Sequence, residues 1–408
     1  MQVEEISNYE QGINKCCYDC KSDSKLSPEV QKAIRYIIQN EGYMKYQIET
    51  VALSPNGTNY LACLFEINIT GHTKEGPKET NLFIKHTIPK ENTHGMFEID
   101  DVYMKEVNFY TNLNRLYEKL QEDANVPCHR RFRTVKCYDE SNTDAIIMEN
   151  LTKKGYTVLN RMETMSLEYA RLAIQEIAKF HALSFAIQKK MPGYFEKNIV
   201  NQKYIITFND KWKQWANQTI DCSLKYIDED LRSKIKEMYP ILYEKFSKYT
   251  SSYMSSVNCL CHGDYRPNNM MAKENKGEIE HVVPIDYQCI TYASPVTDLL
   301  YLFYISTDCE FRERYEQELI DLYHDTMREF LSYFDIDSET VCPRKVFEAD
   351  YETMRDYGLI IALIMLPFCF IAEDNIVADQ LEGELKIDER FRGRISGIVN
   401  EFVKLGRL

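Results

Sequence analysis

The chain has 408 residues, 44% of them hydrophobic, and a formal net charge of -14 at pH 7. A chain of this length usually needs more than one hydrophobic core, so we expect two lobes or domains. The acidic balance argues against nucleic-acid binding, because a surface that neutralises phosphates is normally basic.

Two segments of the sequence indicate where in the cell the protein is expected. The first residues, MQVEEISNYE, contain no basic segment followed by an apolar core, so they do not resemble a secretory signal and the cytoplasm is the expected compartment. The most apolar stretch, residues 358–372, is shorter than the roughly 20 residues that cross a bilayer. No membrane span is expected, and this stretch is predicted to be a buried helix with a kink or stop at Pro367.

The 13 cysteines are odd in number and follow no regular framework, which is typical of buried thiols in a reducing compartment. Cys16, Cys17 and Cys20 form a cluster near the start of the chain. No further pair of Cys or His stands nearby at the spacing of a zinc site, so packed or exposed thiols are expected there.

Residues 44–87 have the pattern of β-strands. The segments MKYQIETVAL, YLACLFEINIT and NLFIKHTI are separated by polar, turn-rich stretches. Phe65, Ile67 and Ile69 alternate with Glu66 and Asn68, which is the period of a half-buried strand. We expect three antiparallel strands.

Residues 99–120 have the pattern of a helix, because apolar side chains recur at steps of three and four. Glu106 lies within this apolar stripe. A buried carboxylate costs several kcal/mol unless it is paired, so we expect a cationic partner for Glu106.

The remaining elements suggest an α+β protein. Two short β segments, RFRTVKCY and DAIIMENL, precede a long helix over residues 166–190, and most of the chain after it has helical periodicity. We therefore predict a β-rich lobe over residues 1–150, containing the antiparallel sheet and the helix with Glu106. A mainly helical lobe is predicted over residues 151–408.

The densest group of polar residues is HGDYRPNN, residues 262–269, followed by IDYQ at residues 285–288. Gly263 and Pro267 disfavour regular structure, which places Asp264 and Asn269 on a loop. A predicted hairpin after the loop brings Asn269 next to Asp286, because the start of one antiparallel strand lies beside the end of the other. An amide oxygen and a carboxylate suit Mg²⁺ that carries the phosphates of a nucleotide, which leaves Asp264 to act on an acceptor hydroxyl.

These residues resemble a known family. HGDYRPNN is similar to the HGDxxxxN catalytic loop of aminoglycoside and choline kinases, and IDYQ resembles the metal-binding IDFQ of the ecdysteroid kinase-like family. Other segments resemble the same family in the same order: LFIKHTIP, KEVNFY, IIMENL, AKFHALS and SPVTDLLYL. The resemblance implies a protein-kinase-like fold with two lobes, ATP and Mg²⁺ as cofactors, and transfer to a hydroxyl group of an ecdysteroid or a similar lipophilic alcohol.

The resemblance also implies roles for single residues. Asp264 would be the catalytic base, and Asn269 with Asp286 would hold the metal. Lys85 would contact the ATP phosphates and pair with Glu106. The remaining ATP contacts would come from the loop SPNGTNY, which includes Asn59, and from a hinge formed by Glu149, Asn150 and Leu151.

Three more residues, His262, Arg266 and Asp298, are expected to support this site. His262 and Asp298 are predicted to hold the catalytic loop by hydrogen bonds, and His181 to be a core histidine with satisfied bonds. Arg266 stands where many family members have an aromatic residue. It is expected either to contact the transferring phosphate or to pack on the surface.

Other functions stay open at this point. The same loop serves choline, aminoglycoside and xenobiotic kinases, and a kinase fold that binds a hormone or partner without catalysis is a further alternative. A protein kinase is disfavoured, because IDYQ replaces DFG and no APE-type segment follows. For Lys85 and Glu106 the alternative is an ordinary surface ion pair, worth less than about 1 kcal/mol.

Overall fold

The computed structural model describes residues 26–53, 62–87, 99–371 and 386–408, and every structural statement below concerns these residues. Asn59 and the cluster of Cys16, Cys17 and Cys20 lie outside them. The strands are β1 (Lys45–Ala52), β2 (Ala62–Thr73), β3 (Gly76–Thr87), β4 (Ala145–Glu149), β5 (Tyr156–Val158), β6 (Cys259–Cys261), β7 (Met270–Asn275), β8 (Glu278–Pro284) and β9 (Thr291–Ala293). The helices are α1 (Pro28–Asn40), α2 (Ile99–Asn108), α3 (Asn114–Asp123), α4 (Leu167–Lys190), α5 (Pro192–Asn198), α6 (Asp210–Leu224), α7 (Glu229–Glu237), α8 (Tyr239–Tyr249), α9 (Val296–Ser306), α10 (Cys309–Ser332), α11 (Arg344–Met354), α12 (Asp356–Cys369) and α13 (Arg390–Lys404).

These elements divide into two compact units. Residues 26–87 and Lys136–Lys153 form the smaller unit, and the larger one contains residues 99–135 and 154–408 within the described ranges. α2, which carries Glu106, belongs to the larger unit. The predicted lobe boundary at residue 150 stays a prediction, while the α+β class is confirmed.

The smaller unit is an antiparallel sheet in the order β1-β2-β3-β4, covered by α1. The three strands predicted from residues 44–87 are confirmed, as is the strand within DAIIMENL. Phe65, Ile67 and Ile69 point into the core, which explains their alternation with polar residues. The core also receives Ile34 and Ile37 from α1.

The predicted strand RFRTVKCY is wrong. Residues 131–138 form no strand, and one isolated bridge joins Cys137 to Met148. The reason lies in their hydrogen bonds: the main-chain N–H of Phe132 donates to Gln121 Oε1 at 2.7 Å, and that of Arg133 donates to Glu176 Oε2 at 3.3 Å. Side chains on helices thus accept the first of these N–H groups, and main-chain bonds to β4 begin only at Lys136, whose carbonyl accepts the N–H of Glu149 at 3.0 Å.

The helix predicted over residues 99–120 is present, with an interruption. Between α2 and α3, residues Phe109–Leu113 form a π-helical turn, in which the N–H of Asn114 donates to the carbonyl of Phe109. Such wide turns often occur near functional sites. Glu106 is 1% exposed, which confirms that it lies on a buried face.

The larger unit is mainly helical. α12 is apolar and buried as predicted, but it continues through Pro367 and ends at Cys369. Among the described helices, none combines the length and apolar character needed to cross a membrane. β7 and β8 pair as the predicted hairpin, with Met270 opposite Pro284.

Candidate active site

The loop between β6 and β7 depends on one glycine. Gly263 has a φ of +79°, and a Cβ atom built on it would lie 2.2 Å from the carbonyl oxygen of Cys289. Only glycine accepts this backbone conformation and this close approach without strain. Pro267–Asn269 then form a 3-10 turn that leads into β7.

Asp264 receives hydrogen-bond donors or a cation on both of its carboxylate oxygens. Oδ1 accepts the phenol of Tyr301 at 2.5 Å and lies 3.0 Å from Nε of Arg266. Oδ2 accepts Nδ2 of Asn269 at 2.7 Å. The Arg266 contact is an ion pair without hydrogen-bond geometry, since its Nε has no hydrogen-bond acceptor. These contacts fix the carboxylate in one orientation.

Asp286 lies at the end of the hairpin, as the sequence predicted. The N–H of the preceding Ile285 donates to the carbonyl of Asn269 at 2.9 Å, so the two chain segments meet at this point. Asp286 itself adopts φ 66° and ψ 64°, a left-handed conformation that few residues other than Gly and Asn favour. Unfavourable backbone of this kind clusters at functional sites.

Aromatic side chains of the π-helical turn hold the loop that carries Asp286. The Phe109 ring stacks on that of Tyr287, with centroids 3.5 Å apart. The main-chain N–H of Asp286 donates to the Tyr110 hydroxyl at 3.4 Å. Close by, the Lys105 ammonium donates to the carbonyl of Ile290 at 3.1 Å. Three side chains of one helical segment therefore contact this loop.

Asp298, at the start of α9, organises the catalytic loop from beneath. Its carboxylate accepts the main-chain N–H of His262 at 2.6 Å and that of Gly263 at 2.9 Å. It also bonds Nε2 of His181 at 3.1 Å, while Nδ1 of His181 bonds the Tyr323 hydroxyl at 2.8 Å. The contacts of Asp298 are those expected of a residue that supports the catalytic loop. Together with the bond to Tyr323, they give both ring nitrogens of His181 a hydrogen-bond partner.

His262 contacts the second half of the site. Its Nε2 lies 3.0 Å from the carbonyl oxygen of Ile285, the residue before Asp286. With its backbone bonded to Asp298, His262 connects the catalytic loop to the end of β8.

The bond between His181 and Asp298 makes stability depend on pH. Burial is the largest single effect on His181 and lowers its pKa, but the hydrogen bonds and charges of Asp298 and Cys261 together outweigh it and raise the pKa to about 9. Burial likewise is the largest effect on Asp298 and raises its pKa, yet the bond and charge of His181, with His262 and the N–H of Gly263, keep that pKa below its ordinary value. His181 is therefore charged in the folded protein, whereas in the unfolded chain it is charged only below about pH 6.5.

We expect the free energy of unfolding to fall, by on the order of 2 kcal/mol, as pH rises from about 6.5 towards 9. The His181 contribution is complete below pH 6.5, because both states are then protonated, and it is lost as pH passes the folded pKa. Urea unfolding of wild type and His181→Gln across this range measures the difference. An equal slope for the two proteins would contradict the assignment.

The structure places the remaining predicted residues on separate elements. Lys85 lies on β3, between Leu64 and Ile146 in the sheet register, and is 5% exposed. Its burial in the smaller unit, and that of Glu106 in the larger, argue against a pair of exposed surface residues. The pairing itself stays a prediction.

The predicted hinge follows β4. Glu149 ends this strand and its Oε1 accepts the N–H of Lys136 at 3.3 Å. Asn150 is buried, with its Oδ1 accepting the N–H of Thr152 at 3.0 Å and its Nδ2 lacking a partner among the described residues. Leu151 is also buried.

One functional residue was missed by sequence reasoning. Tyr301 is 1% exposed and donates to Asp264, and burial, followed by the charge of Asp264, raises the pKa of its phenol well above the ordinary value. The phenol therefore stays protonated and acts as a donor. Its place one helical turn after Asp298, facing the same loop, is the signal that could have identified it.

We expect Tyr301→Phe to lower kcat about tenfold, an effect of roughly 1.4 kcal/mol for a lost hydrogen bond to a charged group, with little change in KM for the nucleotide. Tyr304→Phe is the matched control, because Tyr304 lies one turn further along α9 and donates to Glu401 at 2.8 Å. Steady-state kinetics of both variants make the comparison. Equal losses in the two would show that Tyr301 has no special role at Asp264.

A buried group of possible metal ligands lies beneath this site. His181, Cys259 and Cys261 have ligand atoms within 4.8 Å of one another. Both nitrogens of His181 are already bonded, to Tyr323 and Asp298. The imidazole is thus committed to the hydrogen-bond network, and the group is described here as core packing.

The fold and this site define a small-molecule kinase, that is, a phosphotransferase with an alcohol group as acceptor. The chain belongs to the ecdysteroid kinase-like family, whose sequence profile matches residues 56–335. A search of curated proteins finds no match.

The solved structures that match this chain include small-molecule kinases. Three of them are a choline kinase from Streptococcus pneumoniae (14% identity, 92% of this chain and 99% of that one, TM-score 0.37), an ethanolamine kinase from Plasmodium vivax (13%, 77% and 80%, 0.33) and an aminoglycoside phosphotransferase from Streptomyces rimosus (12%, 80% and 98%, 0.34).

Proposed function

We propose that the protein is a cytoplasmic kinase that transfers the γ-phosphoryl group of Mg·ATP to a hydroxyl of an ecdysteroid or a similar lipophilic alcohol. The observation that carries this proposal is the Asp264 carboxylate, which is oriented by Asn269, Tyr301 and Arg266 on a loop that adjoins Asp286. Such an arrangement suits a base for an attacking hydroxyl.

The contacts of Asp264 leave room for that hydroxyl. A carboxylate offers about four lone-pair directions. Tyr301 and Arg266 occupy Oδ1, and Asn269 takes one direction of Oδ2. The remaining direction of Oδ2 can accept the hydroxyl proton as the oxygen attacks phosphorus.

The donor set beside Asp264 fits a magnesium ion. Nδ2 of Asn269 is turned towards Asp264, which leaves its side-chain oxygen for a metal, and Asp286 supplies a carboxylate. Hard oxygen ligands of this kind are preferred by Mg²⁺. When bound, the ion would neutralise charge on the phosphates. By the family resemblance, Lys85, Glu106, Asn59 and the hinge residues Glu149, Asn150 and Leu151 would bind ATP.

An aromatic groove supports a lipophilic acceptor. Phe208, Trp212 and Tyr243 line a cavity of about 640 Å³ beside α6 and α8, which lies within the usual range for organic ligands. The indole N–H of Trp212 is buried and has no described acceptor. A flat apolar molecule with an oxygen acceptor would satisfy both features.

Aromatic contacts run from this groove to Tyr204, whose pKa responds to the charge of Asp264. The rings of Trp212 and Phe208 lie 4.8 Å apart, and those of Phe208 and Tyr204 6.5 Å apart. Burial, followed by nearby acidic groups that include Asp264, raises the pKa of Tyr204 well above its ordinary value. A lipophilic alcohol along this path would bring its hydroxyl towards the proposed base.

The nucleotide part is tested by thermal unfolding with and without Mg·ATP, for wild type and Asp286→Asn. Ligand at about 100 times its Kd adds roughly 2.7 kcal/mol to stability. The wild type is expected to be stabilised, and the variant to lose the part that requires Mg²⁺. No response in either protein would favour a kinase fold that binds a hormone or partner without catalysis.

The acceptor part is tested by ATP-dependent phosphorylation of an ecdysteroid, choline and an aminoglycoside. We expect the ecdysteroid to be preferred, and Phe208→Ala to raise its KM about tenfold without altering KM for ATP. Tyr253→Ala is the control, because this side chain is 91% exposed and does not line the groove. Preference for choline or the aminoglycoside would overturn the lipophilic acceptor while leaving the kinase intact.

A further inference from the structure

A second cavity in the larger unit contains none of the residues assigned to catalysis. It has a volume of about 200 Å³ and lies among α4, β8, α10 and the segment around Cys128–Arg130. Leu172, Val282 and Phe330 supply apolar walls. This volume lies below the range of about 300–1,000 Å³ that is usual for ligand pockets, so it admits only a compact molecule.

Two of the cations that line this cavity are already neutralised. Lys179 pairs with Glu176 at 2.7 Å, and Arg130 pairs with Glu329 at 3.2 Å. The third carboxylate of the lining, Glu280, accepts Nδ2 of Asn275 at 2.6 Å. All three carboxylates therefore have partners of their own.

Arg133 is different. Its main-chain N–H donates to Glu176, but among the described residues its guanidinium has neither an ion pair nor a hydrogen bond, although the side chain is half-buried and lines the cavity. A guanidinium presents five donors in a planar fork, and in this half-buried side chain they are open to a ligand that replaces water.

Two imidazoles line the same cavity, from His129 and His281. Burial, and next the charge of Arg133, lower the pKa of His281, against the opposing effects of Glu280. His281 and Arg133 are thus close enough to repel each other when both are charged. An anion between them would remove this repulsion.

We infer that this cavity binds a small organic anion, namely a phosphate ester or carboxylate with a compact apolar body. The acid group accepts hydrogen bonds from the fork of Arg133, an arrangement that carboxylates and phosphates favour. His281 and His129 line the cavity as further donors, and the apolar body contacts Leu172, Val282 and Phe330. The inference does not depend on the proposed kinase activity, since it uses none of the residues around Asp264.

Phenyl phosphate is the probe that tests this inference, by calorimetric titration into the full chain. Inorganic phosphate, which has the acid group without the apolar body, and phenol, which has the apolar body without the acid group, are titrated for comparison. We expect phenyl phosphate to bind at least tenfold more tightly than either, and Arg133→Gln to weaken it at least tenfold. Arg131→Gln is the matched control, because Arg131 pairs with Glu122 and does not line the cavity.

A spectroscopic readout separates this cavity from any other site for the probe. Ring proton signals of His281, assigned through His281→Gln, are expected to shift when phenyl phosphate binds to wild type and to stay unchanged with Arg133→Gln. Should Arg133→Gln not fold, Arg133→Lys replaces it, since it keeps the charge and loses the fork. The inference would be overturned if the Arg133 variant bound phenyl phosphate as tightly as the wild type does. It would also be overturned if phenol bound as tightly as phenyl phosphate, or if the His281 signals of the wild type did not shift.

Discussion

Asp264→Asn is expected to reduce kcat for phosphoryl transfer by about 10²- to 10⁴-fold, the usual contribution of a general base. The amide cannot take the hydroxyl proton. It also places an NH₂ group where Asp264 Oδ2 accepts Nδ2 of Asn269, or against the phenol of Tyr301 if the amide turns over. In addition, Arg266 loses its counter-charge.

Stabilisation by Mg·ATP is expected to persist in Asp264→Asn, because Asn269 and Asp286 remain. Rates of ATP-dependent acceptor phosphorylation and thermal unfolding with the nucleotide separate the two effects. Asp325→Asn is the control for a lost surface charge, since Asp325 is exposed and pairs with Arg328. Activity within about threefold of wild type would exclude Asp264 as the base.

Asp298→Ala is expected to lower the free energy of unfolding by about 3–5 kcal/mol, the range for breaking a buried charged network. Asp298 is 1% exposed, and its removal leaves the N–H groups of His262 and Gly263 without an acceptor and His181 without its counter-charge. Because the two N–H groups belong to the catalytic loop, transfer activity is expected to fall as well.

Urea unfolding at pH 7 measures the effect of Asp298→Ala. Asp228→Ala is the matched control: Asp228 is exposed at the start of α7 and makes no capping bond with its side chain, so a change within about 0.5 kcal/mol is expected. Asp298→Asn keeps one acceptor oxygen, so its loss of unfolding free energy is expected to lie between those of Asp298→Ala and Asp228→Ala. A loss below about 1 kcal/mol for Asp298→Ala would show that water or a rearranged loop replaces the carboxylate.

Local patterns in the sequence were sufficient for much of the fold. Alternation of Phe65, Ile67 and Ile69 predicted a strand with one buried face, and a helical pattern predicted the long helix over residues 166–190, which begins where Ser166 Oγ accepts the N–H of Tyr169. The hairpin that brings Asn269 to Ile285 was also predicted, because its two strands are neighbours in the sequence. In each case the determining contacts are near in sequence or repeat with a fixed period.

Contacts between distant residues were not predictable in this way. Tyr301 is one of 29 tyrosines, and although it lies one turn after Asp298, its bond to Asp264 joins residues that are 37 positions apart. Residues 131–138 have strand-like composition, but the N–H groups of Phe132 and Arg133 donate to the side chains of Gln121 and Glu176 on helices instead of to a strand. Arg266 was assigned to the phosphate or the surface, whereas in this structure it lies against Asp264. A single sequence carries no record of such partners.

The π-helical turn at Phe109–Leu113 determines which change in length this part of the chain can tolerate. The wide turn accommodates one residue more than an α-helical turn. Deleting one residue from α2 or α3, outside this turn, would rotate the helix beyond the deletion by about 100°. Either Phe109 and Tyr110 would then leave the loop of Asp286, or Tyr117 would leave the core. We therefore expect insertions and deletions among relatives to be excluded from α2 and α3, and the loss of one residue to be tolerated only within Phe109–Leu113, where it restores an α-helical turn.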